Sequence, residues 1–418
     1  KRENVAAVVA VWLVVPGFAA LPFLATSVVE GPVNAYFESV SGLTTTGATV
    51  IPSLDDAEHA ILIWRALLQW LGGVATVVLV VVHFAHLGFG GMQLYPGVML
   101  HGEQDPLLDR LRQTGMAVST VFGILAAMCF GALLAAGFPI FDAVAHALSA
   151  VSTGGFSTRD GSVGAFANPA AEVVLMGFML FGATNASLFW TIVRHNSAAA
   201  FLRDPEFPWF IGIALLGGCA IAAALLFLSG AAVAPAIRHG LFAAVSAITT
   251  TGFSSGEGID WPLFAPLLLL VLMMAGGCTG STAGGLKTMR VLLLLRFARR
   301  EVARLSHPHG VEGVRYGRMN VDAEAILAVW AFFVVLAFGF GLLTVGLALA
   351  GFELREAVFA AGGVLSNSVP ATAHLAGGTV TYDQASAGAR LLMCFGMILG
   401  RLEFFTALIL VIPFFWRR

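Results

Sequence analysis

The sequence predicts an all-α integral membrane protein assembled from four helix–re-entrant segment–helix repeats. Three observations carry that prediction. Hydrophobic residues make up 58% of the 418-residue chain and charged residues only 11%, against about 25% charge in a soluble domain. Mean hydropathy is +0.88. Eight apolar stretches reach the roughly 20 residues that cross a bilayer, and shorter apolar segments ending in Ser, Thr and Gly alternate with them.

The long stretches lie at roughly 5–28, 59–83, 114–137, 170–193, 208–232, 261–298, 322–350 and 387–416. Glycines and polar residues interrupt the sixth. Within each successive pair lies an apolar segment of about 10–14 residues, too short to span and suited to a re-entrant half-helix. The segment ends align. They read Ser41-Gly42-Leu43-Thr44-Thr45-Thr46-Gly47, Ser149-Ala150-Val151-Ser152-Thr153-Gly154-Gly155 and Ser246-Ala247-Ile248-Thr249-Thr250-Thr251-Gly252. A weaker fourth reads Gly363-Val364-Leu365-Ser366-Asn367-Ser368-Val369-Pro370. The repeat divides the chain into units 1–85, 86–195, 196–305 and 306–418, with pseudo-fourfold symmetry around one ion pore. These are helix–pore-loop–helix repeats, and the third has the broken second helix.

Basic residues set the orientation. Arg110, Arg112, Arg194, Arg203 and the run from Lys287 to Arg318 lie between units, on the side of Lys1, Arg2, Arg417 and Arg418. The other side carries acids, among them Glu30, Glu38, Asp55, Asp142, Glu257, Asp260 and Glu353. The inter-unit loops are therefore cytoplasmic, and the re-entrant segments enter from outside through a mouth that concentrates cations. Part of the run Arg290–Arg318 has a second reading, docking of a cytoplasmic partner or of anionic membrane lipid. A net charge of −2 speaks against nucleic acid as a partner. Cys129, Cys219, Cys278 and Cys394 lack metal-ligand spacing and read as small packing residues. The chain starts Lys1-Arg2-Glu3-Asn4 and enters an apolar span at once, which reads as a fragment with something upstream removed.

The chemistry sits in the segment ends. A cation crossing a membrane needs oxygens in place of its hydration shell, and rings of backbone carbonyls supply them. Glycine permits the φ/ψ values that aim successive carbonyls at one axis, Thr and Ser add hydroxyls, and helix C-termini face the cation with their negative ends. Close helix packing is the rival explanation for one small-residue segment; three in register outweigh it. The ion-binding residues are then Thr45, Thr46 and Gly47; Thr153, Gly154 and Gly155; Thr250, Thr251 and Gly252; and Asn367, Ser368 and Val369.

The stretch Phe37–Thr49 and the run Gly276-Gly277-Cys278-Thr279-Gly280-Ser281-Thr282-Ala283-Gly284-Gly285-Leu286-Lys287 resemble the Trk/Ktr/HKT superfamily of potassium transporters. The tail Leu399-Gly400-Arg401-Leu402-Glu403-Phe404-Phe405-Thr406 is similar to the TrkH-like branch. The resemblance implies a K⁺-translocating pore subunit, with filter glycines at Gly47, Gly155 and Gly252 and K⁺ held by filter carbonyls. It implies no further cofactor. It also implies a TrkA-like nucleotide-binding regulatory ring, a homodimer of pore subunits, a cytoplasmic (inner) membrane location, and two helices upstream of the chain's start.

Inside the sixth span, Gly276, Gly277, Gly280, Ser281, Thr282, Gly284, Gly285 and Lys287 form a polar break. A nucleotide P-loop misses by one position, since Leu286 separates Gly285 from Lys287 and no soluble strand precedes it. A packing kink remains the bland alternative; the resemblance implies a gate beneath the filter. Arg401, a charge within the last span, is a functional hypothesis by default, either a barrier beneath the filter or one half of a structural ion pair. Arg65, between Trp64 and Trp70, reads as snorkelling to the interface, and His146 as a hydrogen-bonding or packing residue. Span four reads as one continuous helix.

No paired carboxylates, metal cluster or nucleophile–base pair supports an enzyme. The rivals within transport are a weakly selective or sodium-coupled pore, and a scaffold that does not conduct. They arise because the family's fourth segment has glycine before the proline, where this chain has Val369, a β-branched residue that resists positive φ. Val369→Gly is expected to raise the K⁺/Na⁺ flux ratio; equal ratios in the two proteins would remove Val369 from selectivity.

Overall fold

A computed structural model describes residues 2–80, 107–195, 199–256, 259, 261–306, 313–317, 319–369 and 382–402. Lys1, Glu257, Asp260, Arg318, Pro370, Glu403, Arg417 and Arg418 of the sequence reading lie outside these residues, as do the ends of spans two and eight.

Among the described residues the order helix, short helix, helix recurs four times. The first unit contains α1 (Arg2–Ala19), α2 (Leu21–Ala25), the short α3 (Gly31–Leu43) and α4 (His59–Leu79). The second has α5 (Leu107–Ala135), α6 (Ile140–Val151), α7 (Pro169–Gly182) and α8 (Ala186–His195). After α9 (Ala199–Arg203), the third runs through α10 (Phe207–Leu228), α11 (Val233–Ile248), α12 (Phe264–Ala275) and α13 (Thr288–Ser306). The fourth contains α14 (Ala323–Leu349), α15 (Leu354–Ser366) and α16 (Ala387–Arg401). A two-stranded hairpin, β1 (Arg315–Tyr316) and β2 (Met319–Asn320), precedes it, paired antiparallel.

Length separates the spanning helices from the rest, although α7, α12 and α16 are as short as the half-helices. Five segments, Ala6–Ala25, His59–Leu79, Leu111–Ala135, Phe207–Leu228 and Ala323–Leu349, are long and apolar enough to cross a bilayer. The short α3, α6, α11 and α15 have 12 to 16 residues and rise only about 18–24 Å, less than the hydrocarbon thickness. Local chemistry starts α3, α7, α15 and α16. Pro32 and Pro169 occupy first-turn positions, where a missing amide costs nothing. Asn168 Oδ1 accepts from the Ala171 amide at 3.1 Å, Ser386 Oγ from Ala389 at 3.2 Å, and Glu353 with Glu356 forms a capping box on α15.

Burial is on the inside only. One apolar cluster joins the second and third units and takes in Val74 and Val77 of α4. Another joins the first and fourth units, from Trp12 and Phe37 to Met393 and Ile398. Outward residues such as Phe227 and Leu349, each 85% exposed, suit lipid. A third cluster, Met289, Leu293, Val314, Tyr316, Val321, Ile326 and Val329, packs the hairpin against α13 and α14.

Four sequence expectations change. Span four is two helices: α7 ends at Gly182 and α8 begins at Ala186, with Asn185 Oδ1 accepting the Ser187 amide at 2.8 Å. Cys219 is exposed, unlike the other three cysteines, because its α10 face turns outward. Glu38 and Asp142 are buried rather than lining an outer mouth. Arg65 does not snorkel: it is 1% exposed, and its Nε donates to Glu38 Oε1 at 2.7 Å. Its guanidinium lies 3.8 Å over the Phe156 ring, and Nη1 donates to Ser157 O at 3.4 Å. Lipid offers a buried charge no partner, so the pair forms inside the protein. Arg65→Ala strands the Glu38 carboxylate and is expected to destabilise the folded protein by about 3–5 kcal/mol. Arg65→Lys recovers only part, because an ammonium cannot both stack and donate as a planar fork. Thermal unfolding in detergent checks both.

Candidate functional site

Each short helix ends in the same way. Thr45, Thr153, Thr250 and Asn367 have φ of 53°, 52°, 53° and 54°. The amide of the next residue reaches back to the helix: Thr46 to Ser41 O at 2.9 Å, Gly154 to Ser149 O at 2.9 Å, Thr251 to Ser246 O at 2.9 Å and Ser368 to Gly363 O at 2.8 Å. These are left-handed Schellman ends. Asn accepts the conformation readily; a β-branched Thr is strained in it, and such strain concentrates at functional sites.

Beyond the cap the fourth unit diverges. Gly47, Gly155 and Gly252 follow with φ of 81°, 79° and 90°. Val369, at the matching place, is not among the positive-φ residues. Its amide instead donates to Thr46 O at 3.0 Å, engaging a carbonyl that the sequence reading gives to the ion. The segments approach closely: a Cβ on Gly155 would stand 1.9 Å from Thr251 O. Among the sequence-predicted filter residues, the first segment thus meets the fourth at Thr46, Asn367 and Val369, and the second meets the third at Gly155 and Thr251.

The strands leaving these caps are tied to their own short helices. Glu38 accepts from Thr49 Oγ1 at 3.0 Å through Oε1 and from the Val50 amide at 3.0 Å through Oε2. In the second unit His146 Nε2 meets Ser157 Oγ at 3.0 Å, and Thr158 Oγ1 donates to Asp142. In the third, His239 Nδ1 meets Ser255 Oγ at 2.9 Å. Behind the second segment Gln69 Nε2 donates to Gly154 O at 2.7 Å, while its Oε1 accepts from Ser149 Oγ at 2.7 Å and Phe156 N at 3.2 Å. Sequence reasoning missed Gln69, which is 0% exposed; an amide in an otherwise apolar span was the available signal.

The break in the sixth span lies directly against the caps. Thr282 Oγ1 meets Thr153 Oγ1 at 2.9 Å and donates to Gly182 O at 3.0 Å. The Gly284 amide donates to Thr250 Oγ1 at 2.7 Å, and a Cβ on Gly284 would stand 1.9 Å from Ser366 O. Arg401 Nη1 donates to Thr282 O at 2.7 Å and Nη2 to Thr45 Oγ1. Asn367 Nδ2 donates to Thr46 Oγ1 at 3.0 Å and Met397 O at 2.9 Å. The loop and Arg401 thus touch all four caps. Gly276, Gly280 and Gly285 turn the chain with φ of 73°, 75° and 76°, as does Lys287 at 78°. Lys287 Nζ donates to Ala283 O within the loop. Ser281 Oγ donates to Cys278 O at 2.5 Å, and a Cβ on Gly277 would meet Ala183 at 3.0 Å. The unforeseen gap between α7 and α8 serves this loop: Ala183 O accepts the Cys278 amide at 2.9 Å, and Gly280 O accepts the Ala186 amide at 3.2 Å.

Comparison with known proteins agrees with this geometry. Residues 2–418 match the TrkH family, described as a cation transport protein. The chain is 39% identical over 413 residues to a Trk system potassium uptake protein TrkH of Halomonas elongata, covering 97% of this chain and 84% of that protein. It is 36% identical to the protein of that name in Escherichia coli strain K12, covering 100% of this chain and 86% of the relative. The crystal structure of the potassium transporter TrkH from Vibrio parahaemolyticus matches with a TM-score of 0.90 at 36% identity, covering 100% of this chain and 86% of that one. The family is one of transporters, not enzymes. With its apolar spans, four capped half-helices and broken sixth span, the chain belongs to the TrkH family of cation transport proteins.

Proposed function

We propose that this chain is the K⁺-translocating subunit of a Trk-type uptake system in a bacterial cytoplasmic membrane. The four caps form one filter on a pseudo-fourfold axis, and the loop Gly276–Lys287 with Arg401 forms the gate beneath it. The observation that carries the reading is contact of one loop, directly or through Arg401, with the residues that close all four short helices. A segment placed there can obstruct an ion leaving the filter, and the guanidinium adds an electrostatic barrier to a cation. Potassium as the ion is supported by relatives named potassium uptake proteins over nearly the whole chain.

The system naming of those relatives supports partner subunits. A TrkA-like nucleotide-binding ring on the basic cytoplasmic face, pairing of two copies and contact with membrane lipid extend that reading. A weakly selective or sodium-coupled pore has one observation in its favour: Val369 breaks the pattern of positive-φ glycines.

The intact chain, expressed with its cytoplasmic partner, is expected to restore growth of a K⁺-uptake-deficient bacterium at low external K⁺. Gly155→Asp should abolish that growth, because the new side chain runs into Thr251 O; growth of the variant at the native rate would dismiss the filter assignment. Shortening the loop by removing residues 279–282 should leave a leaky pore in reconstituted vesicles. Closed-state flux equal to the native protein's would dismiss the gate.

A further inference from the structure

The loop's bonds to the caps explain where it lies but not what holds its two flanks. Glu206, the residue before α10, is 0% exposed. Its Oε1 accepts the Thr279 amide at 2.9 Å, Thr279 Oγ1 at 3.3 Å and the Met289 amide at 2.8 Å. Thr279 lies within the break and Met289 in the first turn of α13, so one oxygen joins both sides of the interruption. First-turn amides have no partner within their own helix, and a carboxylate there is favoured by the helix dipole. Glu206 thus acts as a borrowed cap for α13 while holding the loop.

The carboxylate is itself held in place. Asp204 Oδ1 accepts the Glu206 amide at 2.9 Å and the Phe207 amide at 2.8 Å, which fixes the backbone at the start of α10. Among the described residues Glu206 Oε2 is buried and makes no hydrogen bond, so the grip seen there rests on Oε1. Burial pushes this carboxyl up to about 7; the Thr279 amide pulls against that rise, the Asp204 charge adds to it, and the Met289 amide and Lys287 oppose it. Charged or neutral, it keeps an oxygen able to accept both amides. The hairpin lies alongside: a Cβ on Gly317 would sit 3.5 Å from Pro205.

Resting on the gate assignment, we infer that Glu206 is the positioning residue of the gate: one carboxylate oxygen latches the broken sixth span closed by binding both of its flanks to the start of α10. The latch acts on opening alone, since Glu206 contacts none of the four caps among its hydrogen bonds.

The test compares full-length native, Glu206→Ala, Glu206→Gln and loop-shortened proteins in planar bilayers without any cytoplasmic partner. Glu206→Ala is expected to raise the closed-state open probability at least about tenfold, through loss of the three hydrogen bonds that Oε1 accepts. Unitary current and K⁺/Na⁺ permeability ratio should stay at native values, and Glu206→Gln, with an amide oxygen in the same place, should stay nearly closed. A native open probability in Glu206→Ala overturns the inference, and so does a changed permeability ratio. Where Glu206→Ala is not recovered as a folded protein, Glu206→Asp serves: its shorter arm cannot reach both amides, and a native leak in it overturns the inference equally. If the loop-shortened protein leaks while the Glu206 variants do not, the latch fails and the gate stands. If neither leaks, the gate itself fails, and the latch with it.

Discussion

Hydrocarbon cannot hydrogen-bond an exposed amide or carbonyl, and most of this structure follows from that constraint. A chain that stops a helix halfway through a bilayer leaves orphan carbonyls at its end. Here the left-handed caps at Thr45, Thr153, Thr250 and Asn367 bend the next amide back onto the helix. The cost is strain at three threonines. It is tolerated because the same bend turns the following residues away from helical bonding and leaves their carbonyls to other partners.

The second consequence is that irregular segments lean on one another. The break in the sixth span exposes amides, and the gap between α7 and α8 exposes carbonyls at Gly182 and Ala183. Each break answers the other. Arg401 and Glu206 add to this from two other helices: Arg401 donates to Thr282 O, and Glu206 accepts the Thr279 and Met289 amides. Apolar packing supplies the bulk of the fold, while these polar contacts specify where the loop sits.

The repeats solve one task with different chemistry. The strand after the cap is held by Glu38 with Arg65 in the first unit, by His146 and Asp142 in the second, and by His239 in the third. The helix serine at the matching place bonds its own strand in the first and third units, Ser41 to Ala48 O at 2.6 Å and Ser246 to Phe253 O at 2.7 Å. In the second it bonds Gln69 instead. Such exchanges let similar helix ends form while side chains differ, and they hide the repeat from inspection at those positions.

Much of the fold was legible because hydropathy and chain length act locally: a 12-residue apolar helix cannot span, whatever surrounds it. The Ser/Thr-x-Gly endings were legible because they align between long spans, although the left-handed turn itself falls on the threonines, where residue type alone would not place it. The broken sixth span and the exceptional Val369 were equally plain. Arg65 was misread because snorkelling and burial look alike in one dimension; only the packing of α3 against α4, and Phe156 from the second unit, decides that the charge stays inside. The break at Asn185 and the grip of Glu206 were likewise invisible, because each exists only to meet a segment far away in sequence. The sequence alone determined four half-helices and the small polar residues that end them, which are local consequences of length and residue type. Tertiary structure decided which distant amide each buried oxygen meets, because hydrogen-bond partners at membrane depth are set by proximity in space.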